Sequence, residues 1–220
     1  PWGMTWLDNN NLLITQKSGE IYLINTEDYS KTPIKHSIPS VQYGQGGMLD
    51  IINKENNIWI TCSIEKDGKY TTAIYYAELF EDSLINEKKI YEALPYIESP
   101  FHFGSRLEFK DDYLYASIGE RGEGMIAQDP SNSIGSIIRI HKNGDFPIDN
   151  PYIDNPEWLP EVFQIGVRNP QGMSIDPLSQ EIFISNHGPK GGDFIGSVLA
   201  GTNYGWKKIG WGGTNYSGTK

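Results

Sequence analysis

The chain has 220 residues, 38% of them hydrophobic and 21% charged, and carries a formal charge of -10 from 28 acidic against 18 basic residues. No stretch approaches the roughly 20 apolar residues of a membrane-spanning helix. An acidic field without a dense Lys/Arg cluster disfavours nucleic acid as a partner. What is left is a globular chain whose charge suits a neutral small molecule or bound cations.

Cys62 is the single cysteine, so no internal disulfide and no CxxC metal site can form. Between Ile60 and Ile64 in a strand-like run it reads as a core residue. The chain opens at Pro1-Trp2-Gly3 without an initiator Met or signal peptide, and closes on Ser217-Gly218-Thr219-Lys220. The expectation is one domain over residues 1–220, incomplete at both ends.

In chain order, Leu12–Thr15 and Glu20–Ile24 are two strand runs about a Ser18-Gly19 turn. The plan returns as Ile58–Cys62 with Thr72–Tyr76, as Tyr113–Ile118 with Ser136–Ile140, and as Glu181–Ser185. Residues 81–94 contain helix formers and read as a loop or short helix. Each unit also opens on a small-residue turn leading into an apolar alternation: Pro1–Trp6, Gln45–Asp50, Gly104–Phe109 and Pro170–Ile175. The starts lie about 40 to 70 residues apart, the period of four-stranded propeller blades. The predicted fold is all-β, with about four blades.

Four loop clusters combine glycine with polar side chains, where a rigid scaffold usually holds its site. Gly44-Gln45-Gly46-Gly47 is a flexible turn or a binding loop. His102-Phe103-Gly104-Ser105-Arg106-Leu107 places a histidine just ahead of a strand. There it serves as a general base or as a capping residue. In Gly166-Val167-Arg168-Asn169-Pro170-Gln171-Gly172, Arg168 offers a fork of donors to carboxylates or pins loop carbonyls. Asn186-His187-Gly188-Pro189-Lys190-Gly191-Gly192-Asp193 is a rigid bend whose carbonyls suit Ca2+, or an ordinary loop at a strand end. Aromatics from Asn203-Tyr204-Gly205-Trp206 to Asn215-Tyr216-Ser217 could stack on a flat cofactor or pack between blades.

Taken in order, GQGG, HxGxRL, Ala127-Gln128-Asp129 to Arg139-Ile140, GxRNPQG, HGPxGGD and NYGW resemble the glucose/sorbosone dehydrogenase family. That family includes the soluble aldose sugar dehydrogenases that use pyrroloquinoline quinone (PQQ). The resemblance implies a six-bladed propeller with PQQ across the top of its channel, an active-site Ca2+ and an aldose oxidised at C1 to the lactone. It implies His102 as catalytic base; Gln45, Arg168, Asn169 and Tyr216 as cofactor contacts; and the carbonyls of Gly188 and Pro189, with Tyr204, around Ca2+. A periplasmic or secreted location goes with it, while the aldose, the electron acceptor and the oligomeric state stay open. Phe194 stands where the family commonly has Glu, and Gly196 where Asn is usual. The family's last blades, with further Lys and Arg contacts to PQQ, lie outside the chain.

Two other readings compete. A calcium-dependent propeller lactonase would enlist Asp50, Asp193 and Asn186 around a metal. A non-catalytic propeller would keep the scaffold to bind protein or glycan.

Overall fold

A computed structural model of the chain describes residues 1–212. Four antiparallel sheets follow one another as propeller blades. Blade 1 is β1 Met4–Trp6, β2 Asn11–Thr15, β3 Ile21–Asn25 and β4 Lys31–Ile34. Blade 2 is β5 Met48–Lys54, β6 Asn57–Lys66, β7 Lys69–Phe80 and β8 Ser83–Glu92. Blade 3 is β9 Gly104–Lys110, β10 Tyr113–Ile118, β11 Ser136–His141 and β12 Val162–Ile165. Blade 4 is β13 Pro170–Ile175, β14 Ile182–Asn186 and β15 Phe194–Ser197. Within each sheet the strands are hydrogen-bonded in sequence order. Among the described residues no helix is long and apolar enough to cross a membrane.

The four entry motifs become the first strand of each blade, β1, β5, β9 and β13, and these pack side by side around the axis. Strand alternation then builds three apolar seams. Leu13, Ile21, Met48, Ile51 and Ile60 fill the seam between blades 1 and 2. Trp59, Ile74, Leu114, Ala116 and Ile138 fill the next, and Tyr115, Ile137, Phe163, Ile182 and Ile184 the last. Neighbouring residues such as Ile137 and Ile138 thus face opposite seams, so both faces of β11 are buried.

Residues 81–94 are neither loop nor helix. Ser83–Glu92 is β8, the outer strand of blade 2, paired with β7 from Ala73 to Phe80. Leu84 and Tyr91 turn inward while Lys88 and Lys89 face solvent. Charge on an outer strand guards a sheet edge, and here that role outweighs helix propensity.

One side chain reaches every blade. Arg106 on β9 donates from a terminal nitrogen to Asp50 Oδ1 on β5 (2.8 Å) and from Nε to the Gln171 carbonyl on β13 (2.6 Å). Its guanidinium also lies 4.3 Å from the Trp2 ring centroid, just ahead of β1. Asp50 Oδ2 accepts the Leu107 N–H at 2.9 Å. Burial drives the Asp50 carboxyl above its ordinary range, against the opposing pull of Arg106 and nearby N–H groups. The pair is therefore held at a desolvation cost, and removing one partner strands a buried charge. Arg106→Met should lower unfolding free energy by about 3 kcal/mol, with Asp50→Leu in the same chain restoring most of it. Urea denaturation of the three variants checks this; an Arg106→Met chain as stable as the parent would rule it out.

Cys62 is buried in the first seam, and burial pushes its thiol up to about 12. At pH 8 the folded chain should resist alkylation and react within minutes once unfolded, read by mass spectrometry. Because the unfolded thiol ionises near its ordinary value and the folded one only near 12, stability should fall as pH rises from about 9.

Candidate functional site

The first strands all run the same way, so their leading loops gather at one end of the propeller, together with the loop that follows β10. His102 precedes β9 by two residues in a left-handed backbone (φ 52°). It is gripped on three sides. Its N–H donates to Gln45 Oε1 from blade 2 at 2.8 Å, its carbonyl accepts the Arg121 N–H at 3.3 Å, and its Nδ1 meets Glu120 Oε1. The Glu120 side chain is 2% exposed and also accepts the Gly124 N–H. Gly119 permits this approach: a Cβ there would lie 2.0 Å from the His102 carbonyl oxygen. Gly44 does the same for the other wall, since its φ is 55° and a Cβ would sit 2.2 Å from Pro100.

The segment before β13 supplies the third wall. Asn186 Oδ1 accepts the N–H groups of both Arg168 (3.1 Å) and Asn169 (3.0 Å). Asn169 Oδ1 in turn accepts the Gly104 N–H at 3.1 Å, coupling blade 4 to the base of the His102 loop. The Arg168 carbonyl accepts the Glu120 N–H at 2.8 Å, and its guanidinium donates to the His187 carbonyl at 3.1 Å. That guanidinium stands 5.6 Å from the Trp206 ring. Trp206 is brought there by residues 203–206, which run beside β12 and are held by Gln128 Nε2 on the Trp206 carbonyl (2.6 Å). Phe101, His102, Glu120, Arg168, Trp206 and Lys207 together line one cleft.

The structure thus brings together His102, Gln45, Arg168 and Asn169, with Asn169 and the Gln45 carbonyl-amide oxygen acting on backbone N–H groups. Tyr216 lies outside the described residues. Gly188 and Pro189 sit beyond Arg168 in a tight bend: the Gly188 N–H donates to Asp193 Oδ1 (2.8 Å), and the Pro189 carbonyl accepts the Gly192 N–H (3.0 Å). The Tyr204 hydroxyl donates to the Ser197 carbonyl at 2.8 Å, and its ring packs 4.8 Å from that of Phe194. A Cβ on Gly196 would lie 2.2 Å from the Tyr204 hydroxyl oxygen. Phe194 and Gly196 thus pack together around Tyr204. Among the described residues no three His, Cys, Asp or Glu side chains cluster as a metal site. Asp50 is tied to Arg106 near the axis, Asp193 to its own bend and Asn186 to backbone, so the ligand set of a lactonase does not assemble.

Glu120, Arg121 and Lys207 escaped the sequence reading. The signal for the first two was Gly119-Glu120-Arg121-Gly122-Glu123-Gly124, a glycine-rich polar loop directly after a strand.

The propeller's strand ends thus raise a partly buried histidine–carboxylate pair beside an arginine and an indole in one cleft. The chain belongs to the glucose / sorbosone dehydrogenase family, which it matches over residues 1–220. It is 35% identical over 231 residues to the aldose sugar dehydrogenase YliI of Escherichia coli strain K12, covering 100% of this chain and 62% of that protein. It is 25% identical to quinoprotein glucose dehydrogenase B of Acinetobacter calcoaceticus, across 95% of this chain and 50% of the relative. The crystal structure of the apo-form of the E. coli soluble aldose sugar dehydrogenase superposes with a TM-score of 0.93 at 33% identity, over 100% of this chain and 66% of that one. The PQQ-bound aldose sugar dehydrogenase of Streptomyces coelicolor gives 0.85 at 25% identity, over 97% and 65%. The chain thus spans less than two thirds of the length of these relatives.

Asn186 should be the structural keystone of the third wall. Asn186→Ala leaves the buried Asn169 N–H and the partly buried Arg168 N–H without an acceptor and should cost about 2 kcal/mol, read as a fall in Tm by differential scanning calorimetry. An unchanged Tm would mean that water or another acceptor replaces it.

Proposed function

We propose that this protein oxidises aldose sugars at C1 to the lactone with PQQ as the hydride acceptor. The observation that carries the reading is the His102–Glu120 pair, side chains 12% and 2% exposed, facing the same cleft as Arg168 and Trp206. A carboxylate on Nδ1 requires the proton there, which leaves the Nε2 lone pair for the cleft. His102 then takes the proton of the anomeric hydroxyl as C1 gives up its hydride, and Glu120 stabilises the imidazolium that results.

The donor set suits PQQ, a flat polyanion: a guanidinium at Arg168, the indole of Trp206 and the Lys207 chain line the cleft. When bound, PQQ supplies the two-electron acceptor that no side chain can provide. Arg168 would hold and orient the anion in the cleft through its guanidinium. The family reading also calls for Ca2+ on the carbonyls of Gly188 and Pro189. Two backbone oxygens with no convergent carboxylate among the described residues are a thin set for a hard cation, and no step here depends on it. A periplasmic or secreted location goes with this reading.

The test is to titrate PQQ into the protein with calcium present, add aldose, and follow the cofactor's absorption. The parent should bind and be reduced with release of lactone. His102→Ala should bind PQQ and be reduced about 10³-fold more slowly, and Glu120→Gln about 10²-fold. If the protein and a longer chain carrying it both fail to bind PQQ, the propeller is a binding scaffold and the dehydrogenase reading falls.

A further inference from the structure

Arg121 is fully buried, yet its guanidinium touches no carboxylate among the described residues. Nε donates to the Phe101 carbonyl at 2.8 Å, and the two terminal nitrogens to the carbonyls of Tyr70 (2.7 Å) and Ser99 (2.5 Å). Its carbon lies 3.6 Å from the Phe103 ring centroid. Every donor contact is to a neutral group, on residues just before β9 and on β7. Three of these partners, Ser99, Phe101 and Phe103, bracket His102, whose own carbonyl accepts the Arg121 N–H.

A cation buried among neutral dipoles is costly unless an opposite charge stands close by. Burial lowers this guanidinium to about 10, and the charge that opposes the shift most is its chain neighbour Glu120. Glu120 is itself a buried anion whose hydrogen bonds come from His102 and the Gly124 N–H. The two charges sit back to back, one facing the cleft and the other the protein interior.

We infer that Arg121 is a positioning residue for the proposed base: it clamps the segment that carries His102 and sets a buried positive charge directly behind Glu120. This rests on the reading of His102 as base. The geometry gives Arg121 two separable jobs. Its fork fixes residues 99–103 in the backbone shape that His102, in the left-handed region, needs. Its charge acts through Glu120 without contacting substrate. Other charged or titratable groups around the pair are Arg168 and Lys207 across the cleft, with Tyr43 and Tyr70, stacked 4.0 Å apart, beside Arg121.

The experiment compares Arg121→Gln, which removes the charge, with Arg121→Lys, which keeps it and loses the fork. Loss of a nearby cation makes a proton on the His102–Glu120 pair harder to remove. In the PQQ-loaded enzyme, Arg121→Gln should lower kcat about tenfold or more with KM within about twofold, and should move the acid limb of the kcat/KM profile to higher pH. In the PQQ-free chain, the NMR pH titration of the His102 ring should move the same way. Arg121→Lys should keep both midpoints near the parent's while kcat falls. Circular dichroism establishes that each variant folds. If Arg121→Gln does not, Arg121→Lys decides: an acid limb at the parent's position supports the inference, and a displaced one overturns it. A folded, PQQ-binding Arg121→Gln with both curves superimposed on the parent's overturns it as well. Turnover that survives His102→Ala would instead remove the base assignment, while the ring titration still reports whether Arg121 acts on the pair.

Discussion

The architecture depends on the ion pair between Arg106 and Asp50. Apolar seams hold neighbouring blades together, but each seam knows only its own two sheets. Arg106 reads all of them, since it bonds to β5 and β13 from β9 and stacks on the tryptophan ahead of β1. A buried pair of this kind adds little net stability, because desolvation consumes most of the attraction. Its contribution is register. When Arg106 is satisfied, β9 is fixed along the axis, and Gly104 and His102, two and four residues upstream, are fixed with it. The cleft at the top is an extension of that alignment.

Electrostatics in the cleft run opposite to those of the molecule. A chain with a formal charge of -10 places Arg168 and Lys207 in one wall and Arg121 behind the other. The single buried carboxylate among the groups lining that cleft, Glu120, is given to the histidine and to an amide. Long-range repulsion of anions is thus countered locally, where low dielectric makes each charge count for more.

The blade plan was legible because strand alternation and glycine turns are local properties. The four entry motifs mark the four inner strands, and Cys62 occupies the core that its isoleucine neighbours implied. β8 was not legible: Glu87-Lys88-Lys89 carries helix-forming residues, and only the partner strand β7 makes an edge of it. Within the site, His102 and the Arg168-Asn169 pair stood out as rare polar types between glycines. Glu120 and Arg121 did not, because an acidic and a basic residue in a glycine loop look like solvated surface until the fold buries them. The packing of Tyr204 was not legible either: its ring meets Phe194, ten residues upstream, and its hydroxyl fits against Gly196, eight upstream.

The cleft draws one wall from blade 2, one from blade 3 and one from blade 4, joined by Gln45 on the His102 amide and Asn169 on the Gly104 amide. Its chemistry therefore resides at the seams and belongs to no single loop. Grafting the histidine loop onto another propeller would carry over His102 without the neighbouring blades that hold its backbone. The outer strands touch none of these bonds and are free to drift, which leaves the rim of the disc as the place where lineages can diverge while the centre stays the same.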